Sequence, residues 1–185
     1  MDSGQEKRNM DFKKIKLLAL DVDGVLTDGK LHIGPNGETE KIFSVLDGMA
    51  ISVALRNGLK IAIVTGRGGN IVQFRAKELG ITDCYTGVTD KKEKFQDLMA
   101  DYELKKEEVA YMGDDLNDLP CMTLAGNKFA PCNAVAEVKA VVDYVTETAG
   151  GYGAVREVIE KILTAQGKWQ QVVESYKQRG LGDKQ

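Results

Sequence analysis

Asp21 and Asp23 stand one residue apart at the end of a short apolar run, Ile15 to Leu20, in the stretch Leu18-Ala19-Leu20-Asp21-Val22-Asp23-Gly24-Val25-Leu26-Thr27. Carboxylates so placed suit phosphoryl transfer. Hydrolysis of a phosphate monoester needs an in-line nucleophile, a proton for the leaving oxygen and positive charge around the equatorial oxygens. At a strand exit, residues two apart can point to one side. One carboxylate can then attack phosphorus while the other serves the leaving group. Two anions facing a phosphate dianion repel it, so a divalent cation is required, and oxygen ligands with phosphate favour magnesium. Alone, Asp-Val-Asp-Gly is also what a turn after a strand looks like.

Three further strand ends carry residue types that the pair lacks. After Ile61-Ala62-Ile63-Val64 come Thr65-Gly66-Arg67. These offer a hydroxyl and backbone amides for a phosphate oxygen, a glycine for close approach, and an arginine able to reach an anion. In isolation Thr65 is also a good helix cap. After Gly87-Val88-Thr89-Asp90, Lys91 can supply fixed positive charge, although Lys92 and Lys94 beside it also suit a solvated helix start. After Val109-Ala110-Tyr111-Met112 comes Gly113-Asp114-Asp115-Leu116-Asn117-Asp118. That carboxylate density suits a hard cation, with Asp114 as direct ligand and Asp115, Asn117 and Asp118 around it; whether Asp115 or Asp118 touches the metal stays open.

The elements that must position these residues alternate. Strand-like runs at Ile15–Leu20, Lys60–Thr65, Cys84–Thr86, Val109–Met112, Lys128–Ala130 and Tyr144–Thr146 are separated by helical stretches. Those stretches run from about Gly48 to Asn57, Asn70 to Leu79, Lys91 to Asp101, Asp118 to Ala125 and Ala134 to Ala140, with a last helix from Ala154 to Ala165. The pattern predicts an α/β fold: a doubly wound, mostly parallel sheet with helices on both faces. Residues 27–47 break the rhythm, carrying Gly34-Pro35-Asn36-Gly37 between alternating apolar residues. They predict a β-hairpin inserted after the first strand, beside the carboxyl edge where such sheets bind ligands, and too short to be a cap domain. The domain is expected over 15–165, after a polar N-terminal extension at 1–14. Residues 166–185 form a tail, read as a frayed end or an arm, with Trp169 and Tyr176 spaced for a helical face.

A chain of 185 residues with 43% apolar and 29% charged residues fits one soluble domain. Its net charge of -3 leaves no basic stripe for a nucleic acid, so a small-molecule ligand is expected. No apolar run reaches membrane-spanning length, and the polar N-terminus lacks a signal-peptide core, which predicts a cytoplasmic protein without membrane association. Cys84, Cys121 and Cys132 lack zinc-site spacing and read as reduced thiols; the lone His32 cannot anchor a histidine metal cluster.

In the order carboxylate pair, hydroxyl, lysine, carboxylate cluster, the four strand ends resemble the haloacid dehalogenase superfamily of phosphohydrolases over roughly Lys16 to Leu163. The resemblance implies Asp21 as nucleophile forming an aspartyl-phosphate and Asp23 as general acid and base. It further implies Thr65, Gly66 and Lys91 as phosphate binders, and Mg2+ held by Asp21, Asp114 and the backbone carbonyl of Asp23. Further motifs narrow it: Asp21-Val-Asp-Gly-Val-Leu-Thr-Asp-Gly, the hairpin in place of a cap, Asp47-Gly48-Met49-Ala50, Thr65-Gly66-Arg67, Arg75-Ala-Lys-Glu-Leu-Gly80 and Gly150-Gly-Tyr-Gly-Ala-Val-Arg-Glu157. Together these look like the bacterial 3-deoxy-D-manno-octulosonate 8-phosphate (KDO 8-phosphate) phosphatases.

That family is capless and tetrameric, with hairpins forming a central barrel and active sites closed by neighbouring subunits. The implied substrate is a keto-sugar acid phosphate, with Arg67 and Arg75 on its carboxylate. Relatives acting on nine-carbon sialic-type acid phosphates are similar throughout; some carry Glu at the position of Arg67, which favours the eight-carbon acid. A tail reaching an adjoining site would make Gly180-Leu181-Gly182 a lid. Two readings compete. A phosphoacceptor receiver domain shares the sheet but has its acidic pair and phosphoacceptor arranged otherwise. An idle scaffold subunit would not need every catalytic residue type present here.

Overall fold

The computed structural model describes residues 11–179. Its centre is strand β1 (Leu17–Leu20), buried on both faces as its unbroken apolar sequence requires. β1 pairs in parallel with β4 (Lys60–Val64) on one side, Leu20 beside Ile63, and with β6 (Val109–Met112) on the other, Leu20 beside Met112. Adding β5 (Asp83–Tyr85), β7 (Asn127–Ala130) and β8 (Tyr144–Val145) gives the parallel order β5-β4-β1-β6-β7-β8. The chain winds outward from β1 to β5, then returns to β6 and winds the other way. The carboxyl end of β1 therefore sits where the strand order reverses, at the crevice in which such sheets bind ligands. The α/β doubly wound architecture agrees with the sequence pattern.

Period-two alternation divides the core into two layers. Leu18 and Leu20 join α1 (Val45–Arg56), α2 (Asn70–Leu79) and α6 (Ala154–Ala165) on one face. Leu17 and Ala19 join α3 (Lys91–Asp101), α4 (Leu119–Leu124) and α5 (Ala136–Lys139) on the other. Strands β2 (His32–Gly34) and β3 (Gly37–Glu40) form the expected antiparallel hairpin as a separate two-stranded sheet. No second folded unit accompanies it among the described residues.

Two segments depart from the sequence expectation. Helix α1 starts at Val45, ahead of Gly48, because Ser44 caps it: its Oγ accepts from the Leu46 N–H at 3.2 Å. The stretch expected to be a frayed end or an arm contains helix α7 (Trp169–Arg179). Gly167, at φ 71°, turns the chain after α6, and Val172, Trp169 and Tyr176 then pack on the first core layer. Spacings of three and four residues put these side chains on one helical face. Lys168 Nζ donates to Asn57 O at 2.7 Å and fastens the turn to the end of α1. Residues 1–10 of the N-terminal extension and the lid expected at Gly180–Gly182 lie outside the described residues.

Asp47 joins α1 to α6. Its buried carboxylate accepts from the backbone N–H groups of Gly153 (3.3 Å) and Arg156 (2.8 Å), capping α6 from another element. Burial nevertheless outweighs these bonds and pushes the Asp47 carboxyl up from 3.8 to about 6. A pKa raised on folding contributes stability that is fully present below the unfolded value and is lost as pH rises through the folded one. Urea titrations of the wild type and Asp47→Asn should therefore diverge. The stability of the wild type relative to the variant falls by about 2 kcal/mol between pH 4 and pH 7. A difference that stays flat across that range contradicts the assignment.

Candidate active site

Where the parallel ladder ends, the strand exits converge. The Asp21 N–H still donates to Met112 O (3.0 Å), and the following turn is drawn tight by Val25, Leu26 and Thr27 N–H groups that all donate to Val22 O. Gly24 takes a left-handed φ of 84°, and a Cβ there would lie 2.0 Å from Asp114 Oδ2. Only glycine lets the loop after β1 come this close to the loop after β6. A second lock lies behind it. Asn133 donates to Gly24 O (3.0 Å) and accepts from Gly150 N–H (2.7 Å), while Gly151 N–H donates to Val25 O (3.1 Å).

A cavity of about 510 Å³ opens over this point. Asp21, Asp23, Thr65, Gly66, Arg67 and Asp114 line it, together with the exposed Asp115 and Asn117. Lys91, the first residue of α3 and only 6% exposed, closes its floor: Nζ lies 3.0 Å from Asp21 Oδ2 and 2.8 Å from Asp118 Oδ1. The Thr65 N–H donates to Tyr85 O (3.0 Å) and its carbonyl accepts from Val88 N–H (3.1 Å). The loop carrying Thr65 and Gly66 is thereby pinned to the one leading into α3.

Asp118 is fully buried and saturated. Oδ1 accepts from Lys91 Nζ and from the Tyr111 hydroxyl, both at 2.8 Å, and Oδ2 accepts from Asp114 N–H at 2.9 Å and Asp115 N–H at 3.3 Å. It orients Lys91 and shapes the Asp114 loop. Asp115 bonds inward to the Leu116 N–H (2.7 Å) and caps a short 3-10 turn.

Carboxylate oxygens of Asp21, Asp114 and Asp118 lie within 4.8 Å of one another. Burial, then the Asp118 charge, pushes Asp21 up to about 6 against the pull of Lys91; burial, then Asp118 and Asp21, pushes Asp114 up to about 7. Lys91 is raised in turn: burial works against its charge, and Asp21 and Asp118 overturn that. One ammonium thus serves three crowded carboxylates. Asp21 Oδ1 is buried and makes no hydrogen bond among the described residues. An unsatisfied anionic oxygen beside under-neutralised carboxylates fits an oxygen-liganded divalent cation. Asp21 and Asp114 would hold it; bound there, it neutralises the carboxylates and offsets the charge of an incoming phosphate.

Arg75, expected beside Arg67, is not brought into this cavity. Its side chain lies over Gly48 of α1, where a Cβ would sit 2.3 Å from Nη2, and Nη1 donates to Glu78 Oε2 at 2.7 Å. The close approach that glycine permits turns this arginine toward α1. Arg67 does face the cavity, with its Nε 3.6 Å from Asp23 Oδ2. Sequence reasoning missed Lys41, Tyr111 and Asn133. A tyrosine inside a fully apolar strand needs a hydroxyl partner, a signal that points to Tyr111. Nothing in the sequence distinguishes Lys41 or Asn133.

The model of the haloacid dehalogenase-like hydrolases matches residues 69–159. The chain is 47% identical over 156 residues to the 3-deoxy-D-manno-octulosonate 8-phosphate phosphatase of Escherichia coli K12, covering 84% of this chain and 83% of that one. The chain belongs to the haloacid dehalogenase-like hydrolases. Two solved structures of the same kind agree. The cobalt-bound deoxy-D-mannose-octulosonate 8-phosphate phosphatase of Haemophilus influenzae superposes with a TM-score of 0.84 at 42% identity, over 86% of this chain and 93% of that one. The Moraxella catarrhalis 3-deoxy-D-manno-octulosonate 8-phosphate phosphatase, solved with magnesium, phosphate and KDO, gives 0.86 at 39%, over 90% and 95%. This haloacid dehalogenase-like hydrolase is a phosphatase, with the strand-end cavity as its candidate site.

Divalent-metal binding can be read without turnover. Magnesium or cobalt should raise the melting temperature of this hydrolase by several degrees, and Asp114→Asn should abolish the shift. An equal shift in the variant would remove Asp114 from the ligand set.

Proposed function

We propose that this chain is a magnesium-dependent phosphatase that converts KDO 8-phosphate to KDO and inorganic phosphate in the cytoplasm. The observation carrying the reading is the state of Asp21. One of its oxygens is held by Lys91 while the other is buried at the cavity without a hydrogen bond among the described residues, as an in-line nucleophile requires. In this reading Asp21 attacks phosphorus and becomes the aspartyl-phosphate. Asp23 gives the leaving alkoxide its proton and then takes one from the water that releases phosphate. Thr65, the amide of Gly66 and Lys91 hold the phosphate oxygens, and Asp21, Asp114 and the Asp23 backbone carbonyl hold Mg2+. Arg67 takes the far carboxylate of the substrate.

Relatives sharing 43 to 47% of their aligned residues with this chain carry the eight-carbon substrate in their names, and one solved relative holds KDO itself. Phosphate release with Mg2+ should therefore be at least about tenfold higher in kcat/KM on KDO 8-phosphate than on a nine-carbon sialic-type acid 9-phosphate. Asp21→Asn should lower kcat by at least about 10³-fold. The reverse preference would reassign the substrate. No release from either compound or from an aryl phosphate would overturn the phosphatase reading.

The proposal includes a homotetramer with active sites at subunit interfaces. Leu31, Ile33 and Ile42 are exposed apolar side chains, Ile33 and Ile42 at 62% and 63%, on and beside a hairpin whose outer strand edges are unpaired among the described residues. Any contact of Arg75 with substrate then has to be made in a neighbour's cavity. Sedimentation at micromolar concentration should show a tetramer, and Ile33→Glu with Ile42→Glu should give smaller species. A monomeric wild type would contradict the assembly.

A further inference from the structure

Lys41 follows strand β3 and is the side chain through which the hairpin grips the catalytic turn. Its side chain is only 2% exposed, and Nζ lies 2.5 Å from Asp23 Oδ1 and 2.8 Å from Glu38 Oε1. An ammonium this buried is tolerated because it is paired on two sides, and pairing of that kind holds both partners in one geometry. The two oxygens of Asp23 are thereby made unequal. Oδ1 is occupied by Lys41, whereas Oδ2 is buried, makes no hydrogen bond among the described residues, and has Arg67 Nε 3.6 Å away. Arg67 cannot do the same work, since its side chain is 46% exposed and lies beyond hydrogen-bond reach.

We propose that Lys41 is a positioning residue of the phosphatase reaction: by holding Asp23 Oδ1 it leaves Oδ2 as the oxygen that exchanges a proton with the leaving group. The inference rests on the reading of Asp23 as general acid and base. It assigns a catalytic purpose to the hairpin beyond its apolar surface, because the backbone segment that follows β3 carries the group that aims Asp23. The proton moves from Asp23 Oδ2 to the ester oxygen as the P–O bond breaks and the Asp21–phosphorus bond forms. Lys41 keeps all of its own protons throughout.

Leaving-group dependence separates this role from simple support of the fold. A sugar alkoxide needs a proton as it departs, while a nitrophenolate departs without one. Lys41→Met should lower kcat on KDO 8-phosphate by about 10²-fold with KM changed less than about twofold. In single turnover with enzyme in excess, release of p-nitrophenolate by the same preparation, which reports formation of the aspartyl-phosphate alone, should stay within about threefold of wild type. Lys41→Arg should restore a substantial part of the loss. Glu38→Gln, which keeps the ammonium and weakens only its second anchor, should show the same substrate-selective defect at smaller size, so the test survives a Lys41 variant that misfolds. Equal losses in the single-turnover release of the two leaving groups, or a loss carried by KM, would overturn the positioning role. A wild type inactive on both would instead overturn the proposed function, and this inference with it.

Discussion

Three carboxylates crowd around one buried ammonium, and the arrangement of the sheet follows from keeping them there. Asp21, Asp114 and Asp118 come from the ends of two adjacent strands, and Lys91 comes from the first turn of a helix that packs below them. Like charges at that separation repel, and burial deepens the repulsion, which is why Asp21 and Asp114 hold protons more firmly than ordinary aspartates. Such a cluster persists only if the backbone beneath it cannot spread. The parallel pairing of β1 with β4 and β6, the left-handed Gly24 and the saturated Asp118 supply that rigidity.

The deficit of positive charge is also what makes the cluster useful. Evenly neutralised carboxylates would have no call on a metal ion or on the electrophile of a phosphate ester. Here the imbalance is held in place by backbone hydrogen bonds, the arrangement that electrostatic preorganisation requires. Tyr111 extends the same logic into the core. Its hydroxyl fills the remaining acceptor position on Asp118 Oδ1, so the carboxylate that aims Lys91 has no freedom to turn toward the cavity.

Much of this was legible in the sequence because parallel sheets write their sites in a regular place. Each apolar strand ends abruptly in polar residues, and the types found after Leu20, Val64 and Met112, together with Lys91, name the chemistry. The structure then places Asp21, Asp23, Thr65, Gly66, Arg67 and Asp114 around one cavity, with Lys91 at its floor. What sequence could not show depends on contacts between distant segments. Arg75 is turned toward α1 by the space above Gly48, and no local pattern announces that. The helix at 169–179 is polar in composition and acquires its stability from three side chains meeting a surface built by α1 and α6. Lys41 resembles every other lysine until the hairpin folds back and buries it.

Gly150 approaches the turn after β1 so closely that a Cβ on it would lie 1.8 Å from Gly24 O. The turn that carries Asp21 and Asp23 therefore has no slack: a side chain at 150, or a swelling of the turn, displaces both together. The hairpin meets that turn through Lys41 at Asp23, and the backbone at Arg67 is fixed by the Gly87 N–H donating to its carbonyl at 3.1 Å, while the Arg67 side chain is 46% exposed. A new phosphate ester can therefore be accommodated at the exposed side chain of position 67, while the four strand ends and Lys41 remain as they are.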